Sequence, residues 1–360
     1  MIVFAWSGFP QYAARCVGAF AESLNGRKNV MVVATRPRVP VVGMEKLCGC
    51  PVKWIEGKSW DVESYGQIEH LFVSGWGIPA FNELRDHVRA NGGKVYAMVD
   101  NNLGVGFSCR FRELVKAARF RLKFRSRYDG FFVPGKSGAR LLKFYGVPES
   151  RIKVGLYSAD ASLFKSIKPI VERPKRILYV GQICERKNVA SLVKTFFGLA
   201  GKTEVGDWRL ELYGCGPQEG AIRELISKCQ TTATLPQPMV SLHPFQQPEK
   251  LAEIYGASRI FILPSKEEHW GLVLHEAALS GCVLLASNQV GSAEDLIAAD
   301  NGRMFDANSA VELSAALKWA MGLNNKEMDR ASRTSVEMAK SASLDRFVNS
   351  VTEFVDSEVS

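Results

Sequence analysis

Short apolar runs rich in β-branched and aromatic residues alternate with stretches of helical period along the whole chain, and this alternation restricts the fold most. Runs such as Val30–Ala34, Ile260–Leu263 and Val283–Ala286 are apolar throughout, as suits strands buried in a parallel sheet between helical layers. The pattern predicts strands at Ile2–Trp6, Val30–Ala34, Val52–Ile55, Leu71–Val73, Val95–Val99 and Phe131–Val133 in the first half. Helices are expected between them near Gln11–Leu24, Ala80–Ala90, Phe107–Phe124 and Ser137–Tyr145. In the second half it predicts Ile177–Val180, Leu210–Tyr213, Val240–Leu242, Ile260–Leu263, Val283–Ala286 and Met304–Phe305. At 360 residues the chain is long enough for two such domains. Ser166–Lys175 carries Pro169, Pro174 and several cations without periodicity, so it is expected to link them. The expected division is 1–168, 169–342 and a last helix in 343–360 that docks back through Phe347, Val351 and Phe354. Doubly wound sheets bind ligands at the carboxyl ends of their strands.

Charge is split unevenly. Residues 1–168 hold 26 Lys and Arg against 13 Asp and Glu, a balance of +13, leaving −4 for the remainder of a chain whose net charge is +9. An anionic partner on the first half is expected. No uncharged run approaches the length of a membrane span, and Met1–Phe9 reads as a buried strand, not as a signal peptide. The 8 cysteines are too sparse for a disulfide scaffold, and only Cys48 and Cys50 are close in sequence, a weak zinc signal without a second pair. Reduced thiols are expected.

Two phosphate-loop patterns fail their structural context. Gly130 to Ser137 matches G-x-x-x-x-G-K-S, but the strand lies inside the supposed loop and Pro134 removes an amide donor. The Gly214-Cys215-Gly216 turn has Glu219 where a dinucleotide fingerprint needs its third glycine.

A different constellation survives. After Ile260–Leu263 come Pro264, Ser265, Glu267, Glu268, His269, Trp270 and Gly271, then a helix from about Leu272. The amides of Gly271, Leu272 and Val273 at that helix start suit a diphosphate. Glu268 and Glu276 frame them and suit sugar hydroxyls. After Ile177–Val180, Gly181 allows close backbone approach, while Arg186 and Lys187 bring positive charge to the strand end.

These residues resemble a known family. PSKEEHWGLVLHEAALSG resembles the E-x7-E signature of retaining family-4 glycosyltransferases of the GT-B fold. YVGQICERKNV resembles that family's strand–Gly–Arg–Lys turn, LYGCGP its V-G-x-G-P, and residues 132–164 the stretch closing its first domain. The resemblance runs in order over about residues 128–310; before that it rests on Ser7-Gly8-Phe9-Pro10. It implies two doubly wound Rossmann-like domains facing a central cleft, the first on the acceptor side and the second holding a nucleotide sugar.

By position it implies Glu276 on the ribose hydroxyls, Glu268 on the transferred sugar, Lys187 and the Gly271–Val273 amides on the diphosphate, and Gly181 and Gly214 in the donor turns. Gly8 would lie in the loop closing on the diphosphate. Two departures stand out. Gln182 replaces the family's arginine, which shifts leaving-group charge to Arg186 and Lys187. Val99-Asp100 replaces a His-Asp pair, leaving Asp100 as the candidate there. The implied reaction is retaining transfer from a UDP-, GDP- or ADP-sugar without a covalent enzyme intermediate, with no cofactor and no metal.

Residues 107–128 concentrate the positive charge, with eight cations against Glu113 alone. A helical wheel turns Phe107, Phe111, Leu114, Val115, Ala118 and Leu122 to the core and leaves Phe120 and Phe124 among the cations. Such a face suits anionic lipid. The leading expectation is a cytoplasmic enzyme, peripheral at the inner membrane face, that glycosylates a lipid-linked saccharide for lipopolysaccharide, O-antigen or capsule. The alternatives are a phage-type enzyme glycosylating DNA, and a sugar-nucleotide binding protein without transfer activity.

Overall fold

A computed structural model describes all residues except 27, 37–42, 56–65, 76, 103–106, 166–167, 201–204, 233–238 and 357–360. The chain divides into two compact units, one formed by Met1–Ala159 with Ala342–Ser360, the other by Asp160–Ser341.

In the first unit the strands are β1 (Ile2–Trp6), β2 (Val30–Ala34), β3 (Val52–Trp54), β4 (His70–Ser74), β5 (Lys94–Met98), β6 (Gly130–Val133) and β7 (Ile152–Val154). They form a parallel sheet in the order β3-β2-β1-β4-β5-β6-β7. The helices are α1 (Gln11–Ser23), α2 (Met44–Cys48), α3 (Pro79–Ala90), α4 (Phe107–Lys123) and α5 (Lys136–Phe144). Both faces of β1 are buried, as its unbroken apolar run requires. Phe4 and Phe72 stack on one face, while Val3, Leu71 and Phe131 join the core under α3 to α5 on the other.

The second unit holds β8 (Arg176–Val180), β9 (Arg209–Tyr213), β10 (Val240–His243), β11 (Ile260–Leu263), β12 (Val283–Ser287) and β13 (Gly302–Phe305), all parallel in the order β10-β9-β8-β11-β12-β13. Its helices are α6 (Val189–Ala200), α7 (Glu219–Thr232), α8 (Pro248–Gly256), α9 (Leu272–Leu279), α10 (Ala293–Leu296), α11 (Ala310–Met321) and α12 (Asn325–Ala339). Finally α13 (Leu344–Asp356) packs on α1 in the first unit, with Phe347, Val351 and Phe354 in its core. Tyr96 Oη donates to the Phe354 carbonyl at 2.8 Å.

Strand order reverses direction between β1 and β4 in the first sheet and between β8 and β11 in the second, which defines a crevice at each sheet's carboxyl edge. The fold is thus α/β with two doubly wound Rossmann-like sheets.

Three local expectations need correction. The division between units falls at Ala159 and Asp160, ahead of the expected linker. Within that linker Ile170 is buried, and the buried Arg173 guanidinium donates to the Ser258 carbonyl at 2.9 Å, so these residues belong to the second unit's body. The strand β7, 3 residues long, was not expected. On α4 the wheel is inverted. Phe120 is 2% exposed and Phe124 packs beside it, whereas Leu114, Val115 and Leu122 are 55%, 58% and 83% exposed and Ala118 is exposed too. Two large rings bury more area than the aliphatic stripe, and Glu113 joins them because Tyr145 Oη donates to its carboxylate at 2.7 Å. The side chains of Phe107 and Phe111 lie outside the described residues, as does Trp76, which the sequence at a strand end suits equally to an acceptor sugar or to packing. The rejected P-loop is β6, buried along its length.

Candidate functional site

The crevice between β8 and β11 gathers the residues singled out from the second unit. The turn after β8 is a glycine turn: Gly181 adopts φ 156°, and its backbone follows the Tyr179 hydroxyl, which donates to the Gln182 carbonyl at 2.8 Å. Glu185–Lys187 then forms one tight helical turn, closed by Asn188 in the left-handed region at φ 58°. This turn draws Lys187 inward, so it is buried, while Arg186 and Gln182 remain exposed.

After β11 the segment Ser265–Gly271 is clamped by backbone on both sides. Lys266 N donates to the Arg186 carbonyl at 2.7 Å, Gly291 N to the Glu268 carbonyl at 3.1 Å, and Ser292 N to the Trp270 carbonyl at 2.9 Å. The clamp sets the Glu268 carboxylate against the Lys187 ammonium in an ion pair whose side chains are only 13% and 9% exposed. Ser265 Oγ points to the same carboxylate at 3.5 Å. Gly271 turns at φ 87°, a conformation that costs other residues energy, and opens α9 with no side chain capping its amides. An uncapped helix start facing a strand-end crevice carries partial positive charge.

Glu276 lies one turn inside α9, and the Tyr255 hydroxyl of α8 donates to its Oε2 at 3.0 Å. Burial pushes the Glu276 carboxyl up to about 7, an effect the Tyr255 hydrogen bond partly offsets. The crevice therefore offers a cation, a row of amides and two carboxylates, one already neutralised by the cation.

Gly214 has another role in the geometry. A Cβ there would lie 1.9 Å from the Gly181 carbonyl, and one at Gly216 would lie 2.4 Å from the Ile183 carbonyl. The two glycine turns pack backbone to backbone, with Ile183 N donating to the Cys215 carbonyl at 2.9 Å. Tyr179 and Tyr255 were missed from sequence because buried tyrosines on a strand and a helix carry no local signature. Nor did anything in the spacing pair Lys187 with Glu268, 81 residues apart.

In the first unit Gly8 follows β1 at φ 61°, and its amide donates to Thr35 Oγ1 at 2.8 Å. Ser7 N donates to Ser74 Oγ at 2.7 Å, tying this loop to the end of β4. Asp100 follows β5, where the Tyr157 hydroxyl donates to its Oδ2 at 3.2 Å. A cavity of about 390 Å³ opens nearby, lined by Asn101, Asn102, Glu113, Lys116, Phe120 and Tyr145 among others. No group of three or more His, Cys, Asp or Glu that could hold a metal occurs among the described residues.

Residues 160–336 match the family described as Glycosyl transferases group 1. Two curated relatives are similar over part of the chain. The D-inositol 3-phosphate glycosyltransferase of Rhodococcus opacus (strain B4) is 25% identical over 193 residues, 50% of this chain and 42% of that protein. The 2-deoxystreptamine N-acetyl-D-glucosaminyltransferase of Niallia circulans is 28% identical over 138 residues, 38% of this chain and 34% of that protein. The matches thus span less than half the length of these relatives.

Solved structures resemble the chain over almost its full length. A glycosyltransferase of Rickettsia africae ESF-5 superposes with a TM-score of 0.76 at 13% identity, covering 100% of this chain and 99% of that one. Anabaena Alr3699/HepE in complex with UDP and glucose gives 0.73 at 14% identity over 99% of both chains. The lipopolysaccharide outer core galactosyltransferase WaaB gives 0.71 at 12% identity over 100% of both. The resemblance read from the sequence is borne out, and the fold is that of GT-B glycosyltransferases.

Proposed function

We propose that this chain is a glycosyltransferase that takes a sugar from a nucleotide-sugar donor, with retention and without a metal, and passes it to a saccharide carried on lipid. The observation that carries the reading is the β8–β11 crevice, where the Lys187–Glu268 pair, the uncapped start of α9 and Glu276 converge. A donor diphosphate would draw Lys187 away from Glu268 and rest on the Gly271, Leu272 and Val273 amides. Glu268, released from its ion pair, would then accept hydrogen bonds from the sugar hydroxyls, and Glu276 from the ribose.

In the transfer step the acceptor oxygen bonds to the anomeric carbon as the carbon–phosphate oxygen bond breaks. The acceptor proton passes to the departing phosphate oxygen on the same face, so no enzyme nucleophile is needed. The charge that grows on the leaving diphosphate meets Lys187, Arg186 and fixed amides, a preorganised arrangement that lowers the barrier. Gln182, lacking charge, leaves that work to the two cations. The UDP and glucose held by the Anabaena neighbour support a nucleotide-sugar donor, and WaaB's printed description supports a lipopolysaccharide-type acceptor.

In the first unit, Gly8 would lie in the loop that closes on the diphosphate, while Asp100 at its strand end and the cavity beside α4 supply the acceptor side of this reading. Aromatic rings with amides and a carboxylate suit a saccharide. The outer face of α4 supports work at an anionic bilayer. Leu114, Val115 and Leu122 project there among exposed Lys116, Arg119, Arg121 and Lys123. Apolar side chains that enter the lipid boundary, flanked by cations on lipid phosphates, are what an interfacial helix uses. No helix among the described residues is long and apolar enough to cross a membrane.

The test is release of nucleoside diphosphate from UDP-, GDP- and ADP-sugars, with sedimentation on anionic vesicles. Expected is release with one donor and co-sedimentation that salt weakens. Retention on duplex DNA without vesicle binding would overturn the lipid acceptor, and no release with any donor would leave a binding protein.

A further inference from the structure

The C-x-C motif lies outside the donor crevice, and its geometry is specific. Cys48 ends α2, Gly49 turns in the left-handed region at φ 62°, and Cys50 follows, which brings the two sulfur atoms within 2.8 Å. A disulfide needs about 2.05 Å, so closing the bond takes about 0.8 Å of movement. The two thiols differ in surroundings. Cys48 is 1% exposed, whereas Cys50 reaches solvent. The Cys48 thiol hydrogen-bonds to the Cys50 sulfur and holds Cys50 below the ordinary thiol range, while the same contact and burial push Cys48 up. An accessible sulfur biased toward thiolate, beside a buried thiol, is the pairing found where a cysteine is oxidised and then resolved. Among the described residues no further His, Cys, Asp or Glu joins the two to form a metal-holding group, and zinc takes four ligands.

We propose that Cys48 and Cys50 form a reversible disulfide, which makes this turn a redox modification site. The oxidant is a hydroperoxide. The Cys50 thiolate attacks a peroxide oxygen, the O–O bond breaks, and with one proton taken up a first water leaves Cys50 as its sulfenic acid. The Cys48 sulfur then attacks the Cys50 sulfur, its proton leaves with the hydroxyl, and a second water departs. Two thiols are oxidised by two electrons while hydrogen peroxide is reduced to two waters. An external dithiol reverses the step by exchange. The ring closed by a three-residue segment is short, and strained or exposed disulfides are the labile, regulatory ones.

The site is mechanically connected. Gly18 of α1 has no room for a Cβ, which would lie 2.6 Å from the Leu47 carbonyl and 2.9 Å from that of Cys48. The backbones of α1 and α2 touch there, so a shift of the last turn of α2 is passed to α1 directly. The inference stands apart from the transfer reading.

The test treats the full chain with hydrogen peroxide, blocks remaining thiols with iodoacetamide and reads the tryptic peptide 47–53 by mass spectrometry. Expected is a peptide two hydrogens lighter and unalkylated, formed about tenfold faster than exposed Cys215 is oxidised. Dithiothreitol should restore two alkylatable thiols. Cys50→Ser should leave Cys48 alkylated at every peroxide concentration, and Cys48→Ser should let Cys50 proceed to sulfinic acid. Circular dichroism of each variant checks that it is folded. A fully alkylated wild-type peptide, or sulfinic acid at Cys50 with Cys48 still present, overturns the proposal.

Discussion

Removing the Lys187 ammonium separates what the ion pair does for the fold from what it does for a donor. The pair lies in the buried regime, since the two side chains are only 9% and 13% exposed. Exposed pairs contribute about 0–1 kcal/mol. Deleting one member of a buried pair typically costs about 3–5 kcal/mol, because the other charge is left without compensation. Glu268 keeps a weak partner in Ser265 Oγ and stands at a crevice that water reaches, so the lower end, about 3 kcal/mol, is expected for Lys187→Ala. For a unit of this size that lowers the melting temperature by about 6–12 °C.

Lys187→Ala/Glu268→Gln should recover most of that loss, because no charge is stranded. Donor chemistry follows a different pattern. Losing a fixed cation that faces a leaving diphosphate costs about 10²–10³ in rate, and the double variant should regain none of it. The assay is a double-mutant cycle read twice, by thermal unfolding and by nucleoside diphosphate release. Additive stability losses, or a double variant that recovers transfer, would falsify this coupling.

A pH titration of donor binding tests Glu276. Its carboxyl is raised to about 7 by burial, so it loses charge as pH falls through that value, and donor affinity should weaken from pH 8 to 6. The Tyr255→Phe variant removes the bond that lowers this value and should move the midpoint upward; an unmoved midpoint contradicts the assignment. Because the folded value lies above the unfolded one of 4.5, stability from neutral Glu276 is fully present below 4.5 and is lost as pH rises through 7. Glu276→Gln should therefore gain stability over the parent as pH increases, measured by denaturant unfolding. Gly214→Ala sets a methyl against the Gly181 carbonyl and should cost at least about 1–3 kcal/mol, again read by unfolding. Leu122→Glu on α4 should reduce vesicle binding about tenfold or more, with soluble acceptor turnover unchanged.

The fold was legible because parallel strands buried on both faces leave continuous apolar runs, as at β1, β11 and β12, whereas β9, β10 and β13 interrupt theirs with Glu211, Ser241 and Arg303. The donor crevice was legible where chemistry is local, as at Glu268, Gly271 and Glu276 within one short segment. What escaped was long-range. The capture of Glu268 by Lys187, the support of Glu276 by Tyr255 and the pressing of Gly214 on Gly181 all join different strands or helices. The wheel on α4 failed for a related reason: the helix is apolar on two sides. Only the neighbours Tyr145 and Phe131, which receive Phe120, decide which side turns inward.

The return of α13 to the first unit has a consequence for synthesis. Phe347 and Phe354 fill the core beside Phe4, Phe72 and Phe132, and Gly130 of β6 lacks the Cβ that would strike Phe354 at 2.6 Å. The strands made first therefore wait for a helix that leaves the ribosome after the whole of residues 160–341. The second unit can close as soon as it emerges, while the first holds an open aromatic face until α13 emerges. The first unit is thus expected to finish folding after the second, and a ribosome that stalls before Leu344 should expose the first unit's open core to aggregation.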